Sequence, residues 1–323
     1  MRTTFTRFYT AVSLLVIFLS YGDLRAESAR LRQVFEGKTI RIIHGSGVGG
    51  GYDLVARAFG RFLLDYLPGK PAQVIVQPRP GGGPFRLKSL RALIRSKPDG
   101  LTIGYAYSAW LVAETIGEGP AGLNLKDLEP LGTPLGGYSD NVYCARSEVA
   151  TSWKEIEKLG RPIKWAGIAP GVSAVLMAVP WLKEIGAPVK VIWGYSGTSE
   201  TNAAFRRGEA ELIASCTGNL RRDYRDWAKR GNVAPIFWLG KATAAGDATL
   251  KQMGLKRPPH IYEVAKKYIT ADWQKEVFDV AVNLARLSKF YFVPVGAPKE
   301  VVAAWRETFR KIVIDPRFKM ALH

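Results

Sequence analysis

The chain has 323 residues and a formal net charge of +18, and 47% of its residues are hydrophobic while 23% are charged. This length is enough for two domains of ordinary size. The apolar fraction and the lack of low-complexity tracts exclude a disordered chain. Only two cysteines and three histidines are present, which leaves too few partners for a metal site or a cysteine–histidine nucleophile.

The first 26 residues have the layout of a secretory signal peptide. Arg2 and Arg7 make the start basic, residues 11–19 form a short apolar run, and Ala26 supplies a small residue at a cleavage point. The run is too short for a membrane span, which needs about 20 apolar residues. We therefore expect a soluble exported protein, periplasmic where the cell has two membranes. An uncleaved membrane anchor is the alternative.

The positive charge favours anionic partners, because a basic surface attracts anions over a distance set by the salt concentration. The two densest basic clusters, residues 86–97 and 221–230, have the spacing of amphipathic helices whose basic residues face solvent. This spacing, together with export, argues against a nucleic acid as the partner.

The two cysteines, Cys144 and Cys216, each lie in or just after a strand-like run. Export permits a disulfide. The sequence alone leaves open whether the two are paired.

In chain order, the first unit alternates strands with helices. A β-α-β-α-β order predicts a parallel sheet with helices on both faces. Strands are expected at 39–45, 72–80 and 101–108, and helices at 52–67, 81–97 and 109–116.

After an extended crossing at residues 128–147, a second α/β unit of similar size follows. Helices are expected at 151–160, 170–186, 198–209 and 220–231, and strands at 163–169, 189–197, 210–219 and 233–241. A tail with a helix at 271–287, an extended run at 289–298 and a helix at 299–315 is expected to pack on the first unit.

The predicted fold class is therefore α/β, with two parallel-sheet lobes and a ligand cleft between them. We assign residues 27–131 and 239–323 to lobe 1 and residues 132–238 to lobe 2. The chain is expected to cross between lobes near residues 131–138 and 237–241, which would serve as the hinge. Ligands of open parallel sheets bind at the carboxyl ends of the strands, which here would face one another.

A glycine-rich loop, GSGVGGGYD, joins the first strand to the first helix. A loop that opens a helix presents backbone N–H groups, and the helix dipole adds partial positive charge, so the loop predicts an anion site. Gly45, Gly47 and Gly50 fit the dinucleotide fingerprint, but residues 77–79 supply no acid for a ribose. No phosphate-loop triplet and no acid–base or nucleophile constellation is present, and packing or capping is a better interpretation of His44 than catalysis.

The second unit repeats the arrangement at residues 169–173, APGVS, between a strand and a helix. Ser173 is placed either to cap that helix or to donate to an anion. Two helix N-termini, one from each lobe, would then point into one cleft. Such a site suits a ligand with one or two carboxylates.

Several segments, in order along the chain, resemble elements of the tripartite tricarboxylate transporter receptors, the Bug family of periplasmic solute-binding proteins. The segments are VGGGYDLVAR, VIVQPRPGGG, SKPDGLTIGYAYS, IKWAGIAPGVSAVLMAVPWLKEIG and VIWGYSGTSETNAAFRRGEAELIAS. The resemblance covers the chain from residue 27 onward. It implies a two-lobe periplasmic binding protein fold (type II-like) that closes on a small carboxylate, without catalysis, cofactor or metal.

The resemblance also implies delivery of the ligand to integral membrane permease subunits; we expect a monomer. The loops that hold the carboxylate match residues 46–53 and 169–173, and Asp53 is interpreted as the organiser of the first loop. The predicted ligand-binding residues are Ser46, Gly49, Gly50, Gly51, Tyr52, Asp53, Ser108, Ala109, Pro170, Gly171, Val172, Ser173, Tyr195, Ser196, Thr217 and Asn219. A periplasmic sensor for a membrane histidine kinase is the alternative function, and an exported enzyme on the same scaffold is a third.

The chain departs from the family pattern at several pocket positions. Tyr52 stands where the family has a small polar residue, and Ser196 stands where a lysine is common. A lysine could pair with a second carboxylate and a serine cannot, while a tyrosine adds an aromatic face. These departures favour a flat monocarboxylate over citrate.

Overall fold

The computed structural model describes residues 29–82, 87–106, 110, 124–134, 140–168, 178–216, 218, 224–240, 242–284 and 290–322. The strands are β1 Thr39–His44, β2 Gln73–Pro78, β3 Thr102–Ala106, β4 Leu128–Gly132, β5 Asp140–Arg146, β6 Ile163–Ala166, β7 Val189–Ile192, β8 Leu212–Ile213, β9 Val233–Gly240 and β10 Phe290–Pro294. The helices are α1 (29–35), α2 Gly51–Tyr66, α3 Leu87–Ile94, α4 Trp153–Lys158, α5 Ala178–Glu184, α6 Thr198–Arg207, α7 Arg225–Lys229, α8 Ala244–Gln252, α9 Ile261–Ala265, α10 Asp272–Leu284, α11 Lys299–Ile314 and α12 Pro316–Ala321.

The first sheet has five strands in the order β2-β1-β3-β10-β4. Strands β1, β2 and β3 are parallel, and β10 runs antiparallel to both β3 and β4. Helix α2 packs over this sheet, and the ring of Phe59 lies 4.9 Å from that of Tyr291 and 4.4 Å from that of Phe309. The apolar face of α2 is therefore buried in the core between α2, β10 and α11.

The second sheet also has five strands, in the order β7-β6-β8-β5-β9. Strands β6, β7 and β8 are parallel, and β5 runs antiparallel to β8 and β9. Cys144 on β5 and Cys216, just after β8, form a disulfide with a Cα–Cα distance of 5.8 Å. The pairing that the sequence left open is thus present, and it joins two neighbouring strands of this sheet.

The two sheets confirm the predicted α/β architecture, and the final strand and helix pack on the first sheet as expected. The segment between β9 and β10 differs from the expectation that it belongs to lobe 1. Helix α9 contacts β9, and α10 contacts both α5 and β9. Arg257 reaches back to Asp140 on β5, with Nη1 2.8 Å from Oδ1. Residues 244–284 therefore pack on the second sheet, because their apolar faces and this ion pair bind them there.

The crossings between the sheets follow from this arrangement. The chain leaves the first sheet at Gly132 and enters the second at Asp140, close to the first predicted hinge. The second crossing differs from the expected residues 237–241, because all of β9 lies in the second sheet. It falls instead between Leu284 and Phe290. The lobe limits as a whole stay a prediction. Within the part of the chain that the structure describes, no helix is both long and apolar enough to cross a membrane.

Candidate functional site

The helix starts that follow β1 of the first sheet and β7 of the second lie close together, and the space between the two sheets beside them is called the cleft. The glycine loop, residues 45–50, follows β1 and leads into α2, whose first residue is Gly51. The loop after β7 leads into α6, which begins at Thr198 with Gly197 at the N-cap. The Gly51 N–H donates a hydrogen bond of 3.2 Å to Oγ1 of Thr198. Two helix N-termini from different sheets therefore face each other across the cleft.

Two glycines of the loop, Gly49 and Gly50, are favoured by its geometry. Gly49 has a φ of +76°, in the left-handed region that side chains rarely adopt. A Cβ at Gly50 would lie 3.2 Å from both Ser46 Oγ and Thr198 Oγ1. The close approach of α6 therefore leaves little room for a side chain at Gly50. Gly51 has neither a positive φ nor a protein neighbour near a Cβ, and the close ligand approach expected there stays a prediction.

The Asp53 side chain binds the backbone of the glycine loop, which agrees with its interpretation from the sequence as the organiser of that loop. Its side chain is 1% exposed. Oδ2 accepts hydrogen bonds of 2.9 Å from the Gly49 N–H and from Arg57 Nε, and Oδ1 lies 3.0 Å from His44 Nε2. One carboxylate thus ties the loop, strand β1 and helix α2 together.

The hydrogen bonds of His44 fix its tautomer. The backbone N–H of Ser46 donates to Nδ1 at 3.2 Å, so Nδ1 carries a lone pair and Nε2 carries the proton that is donated to Asp53. Burial lowers the pKa of His44 below 6.5 more strongly than the hydrogen bond and charge of Asp53 raise it. The imidazole is therefore neutral at pH 7 and packed, in agreement with the structural role favoured by the sequence.

The ionisation of Asp53 is maintained despite its burial. Burial by itself raises the pKa of this carboxyl, but the hydrogen bonds from Arg57, Gly49 and His44, with the charge of Arg57, together lower the pKa below the ordinary aspartate value of 3.8. The negative charge is used within the loop and is compensated by Arg57. It therefore serves the loop rather than a ligand.

Only some of the loop N–H groups are available to an anion, so fewer backbone donors remain than the sequence predicts. The N–H groups of Ser46, Gly49 and Gly51 already donate to His44, Asp53 and Thr198. Among the described residues, the N–H groups of Gly47, Val48 and Gly50 have no hydrogen-bond acceptor. These three are the backbone donors that the loop can offer, with the positive end of the α2 dipole behind them.

The environments of Tyr52 and Ser196 differ from the pocket positions that the sequence predicts for them. Tyr52 is only 9% exposed, and its ring packs 5.1 Å from that of Tyr105 in the core of the first sheet. Its aromatic face is therefore a core surface, which removes one support for the preference for a flat ligand. Ser196 is exposed, and its N–H donates 2.5 Å to Oε2 of Glu200 in the first turn of α6. Tyr195 precedes it, three residues after the end of β7, and is partly buried.

Eight predicted site residues fall outside the part of the chain that the structure describes. They are Ser108, Ala109, Pro170, Gly171, Val172, Ser173, Thr217 and Asn219. Each follows a strand whose carboxyl end lies at the cleft edge, namely β3, β6 and β8. Their contribution to the site stays a prediction.

Sequence reasoning missed Thr198 and Ser199, which face the glycine loop from α6. Ser199 Oγ lies 3.8 Å from a Cβ built on Gly49. The glycine-rich segment GYSGTSE, between a strand and a helix, carried the same signal as the first loop and could have identified both residues. Within the described ranges, no three histidine, cysteine or acidic side chains are grouped so as to hold a metal ion.

A separate groove of about 600 Å³ lies at the opposite edge of the second sheet. Its lining includes Val233 and Pro235 from the first half of β9, with Lys154, Lys256 and Arg257 around it. It is remote from the glycine loop, because β9 begins at the edge where β5 ends. The cleft between the sheets, with its convergent N–H groups, is the better candidate site.

Comparisons with known proteins agree with this architecture. No family model matches the chain, and no curated protein matches it. Among solved structures, the periplasmic binding protein BugD is 19% identical with a TM-score of 0.63, over 89% of this chain and 86% of that one. MatC from Rhodopseudomonas palustris with bound malate is 16% identical with a TM-score of 0.63, over 89% and 88% of the two chains. Another R. palustris protein, solved with adipate, is 16% identical with a TM-score of 0.61, over 88% and 85%.

The fold is therefore that of the two-lobe periplasmic binding proteins. The resemblance to the Bug family, predicted from motifs along the chain, is confirmed at the level of the fold by the similarity to BugD. The three solved structures above are described as binding proteins or by a bound carboxylate.

Proposed function

We propose that this protein is an extracytoplasmic solute receptor that captures a small organic anion, a carboxylate, between its two lobes. The observation that carries the proposal is the approach of two helix N-termini across the cleft, marked by the 3.2 Å bond from Gly51 to Thr198. Backbone N–H groups at helix N-termini bind anions without needing a cationic side chain. The malate and adipate named for two solved structures of the same fold support the choice of a carboxylate.

The mechanism is closure of the lobes around the anion. The N–H groups of Gly47, Val48 and Gly50 bind it from the first lobe, and α6 of the second lobe approaches the same point. A ligand shifts the equilibrium towards the closed form only through contacts that the open form lacks. The Gly51–Thr198 bond is one cross-lobe contact that closure would form, and the anion adds further ones.

The closed form would then deliver the anion to the integral membrane subunits of a tripartite tricarboxylate-type transporter. This step and the monomeric state are inferred from the resemblance of the sequence to the Bug family. The net charge of +18 includes Arg2, Arg7, Arg25 and Asp23 of the expected leader, a sum of +2, so the exported chain would carry +16 and would attract anions over long range.

A thermal-shift screen tests the proposal. The protein would be heated with citrate, malate, adipate, acetate and benzoate, with sodium chloride and neutral sugars as controls of equal ionic strength or concentration. At a ligand concentration of 100 times Kd, binding to the folded state contributes about 2.7 kcal/mol and raises the Tm. The proposal is wrong if no carboxylate raises the Tm above the chloride control, or if a neutral sugar raises it as much.

A further inference from the structure

Asn141 and Ser215 form a polar pair in the second sheet that the sequence analysis did not assign. Oγ of Ser215 donates a hydrogen bond of 3.1 Å to Oδ1 of Asn141. Asn141 is 8% exposed. Ser215 has a φ of +55°, in the left-handed region, and directly precedes the disulfide-bonded Cys216. The disulfide thus holds Ser215 at a fixed place beside β5.

This pair lies at the cleft edge of the sheet. Ser215 follows β8, which runs parallel to β6, and β6 runs parallel to β7, so the carboxyl ends of all three meet there. Asn141 pairs with Leu239 at the carboxyl end of the antiparallel β9, which puts the start of β5 at the same edge. The same edge also carries the loop to α6, whose Thr198 contacts the glycine loop.

Only one of the two polar atoms of the Asn141 side-chain amide has a hydrogen-bond partner. Its Nδ2 is buried and has no partner among the described residues. Exchanging the amide N and O would let Nδ2 bond Ser215 and leave Oδ1 without a partner, so one amide atom stays unpaired in either orientation. A buried polar atom without a partner is energetically costly, which favours an occupant that completes the hydrogen bond.

The neighbouring acid does not repel an anion strongly. Asp140 accepts two hydrogen bonds of 2.8 Å from Arg257 and another of 2.9 Å from the Thr243 N–H. Burial raises the pKa of Asp140, but these bonds outweigh it and the pKa falls below 3.8. Its charge is therefore compensated beside Asn141.

We propose that Nδ2 of Asn141 donates a hydrogen bond to the bound carboxylate from the second lobe, with Ser215 orienting the amide. This inference rests on the proposed function and names a specificity-determining residue of the same site. Because Asn141 lies at the cleft edge of the second sheet and the glycine loop follows a strand of the first, this amide would give the anion a contact that exists only when the lobes are closed.

Calorimetric titration of the wild type, Asn141→Ala and Asn141→Asp tests the inference, using malate, adipate and benzoate as probes. The same two substitutions at Asn232 serve as the matched control, because Asn232 precedes β9 at the opposite edge of the same sheet. Circular dichroism and urea unfolding establish which variants are folded. Ser215→Ala is a second test of the inference, because it keeps Asn141 but removes the hydroxyl that orients the Asn141 amide.

A hydrogen bond to a charged group contributes about 1.5–3 kcal/mol, so Asn141→Ala should weaken the tightest-binding probe by about ten- to a hundredfold. Asn141→Asp should weaken it further by repulsion, Ser215→Ala by a smaller factor, and the Asn232 variants not at all. Wild-type affinity in folded Asn141→Ala and Ser215→Ala overturns the inference and leaves the proposed function standing. Failure of the wild type to bind any probe overturns both.

Discussion

Nε2 of His44 donates a hydrogen bond of 3.0 Å to Oδ1 of Asp53, and both side chains are buried. The same Asp53 carboxylate accepts the Gly49 N–H, while Nδ1 of His44 accepts the Ser46 N–H. Two side chains from β1 and α2 therefore fix the backbone of the glycine loop at two points. The backbone shape of the proposed anion site therefore depends on this buried pair.

Removal of the Asp53 carboxylate should destabilise the fold and disorder the loop. Asp53→Ala leaves the buried, neutral His44 and the Gly49 N–H without their acceptor and should lower the free energy of unfolding by about 1–3 kcal/mol. Asp65→Ala is the control on the same helix, because Asp65 is half exposed, and should change it by less than about 0.5 kcal/mol. Urea unfolding of both variants measures the difference. Equal effects would contradict the role given to Asp53.

The stability of the protein should fall as the pH drops below 6.5, the ordinary pKa of a histidine. Burial lowers the pKa of His44 in the folded protein from 6.5, so below that pH the unfolded chain binds a proton that the folded chain does not. Stability from this group is fully present above about pH 6.5 and is lost towards the folded pKa, by at most about 1.4 kcal/mol per pH unit.

Urea unfolding from pH 8 to pH 5 measures this slope. His44→Gln should flatten the slope in that window, because glutamine does not titrate. His260→Gln is the matched control and should keep the wild-type slope, since His260 lies outside the loop network. A wild-type slope in His44→Gln would show that another group titrates.

A side chain at Gly50 should block the approach of α6 to the loop. Gly50→Val places atoms within 3.2 Å of Thr198 Oγ1 and Ser46 Oγ, so the variant should fold but should lose the rise in Tm that malate or adipate gives. Leu64→Val is the control near the far end of the same helix, where the side chain is partly exposed, and should keep the rise in Tm. If Gly50→Val keeps the rise in Tm, this loop is not part of the site.

The disulfide should stabilise the second lobe and its cleft edge. Cys144 and Cys216 are 72 residues apart, and a crosslink across such a span contributes about 4 kcal/mol in the chain-entropy model. Dithiothreitol should therefore lower the Tm of the wild type and leave that of the Cys144→Ala/Cys216→Ala double variant unchanged. Differential scanning calorimetry with and without the reductant makes the comparison, and an equal Tm for the reduced and oxidised wild type would contradict it.

Much of the fold could be predicted from local periodicity. The strands around Ile42 and Trp165 are short apolar runs bounded by turns, and α2 has its apolar residues at helical spacing. The segment from Ala244 to Leu284 was misplaced because its packing partner is set by long-range contacts, such as Arg257 with Asp140. No sequence pattern records which sheet an amphipathic helix will cover.

The glycine loop and Asp53 were predictable because each has a local backbone reason, a positive φ or a nearby N–H group to accept. Thr198 and Asn141 were not predicted, since each acquires its role only when distant strands come together. Tyr52 was expected at the ligand because it departs from a family pattern, yet its ring fills the core beside Tyr105. The sequence therefore locates the loop more reliably than the side chains around it.

The most direct test of the account is a crystal structure of the protein with the tightest-binding carboxylate from the thermal-shift screen. The account predicts one anion between the two sheets, with a carboxylate oxygen within hydrogen-bond distance of the N–H groups of Gly47, Val48 or Gly50. Thr198 of the second lobe should contact the same loop, as it does here. An anion bound instead in the groove beside Lys154 and Lys256, with the glycine loop empty, would contradict it.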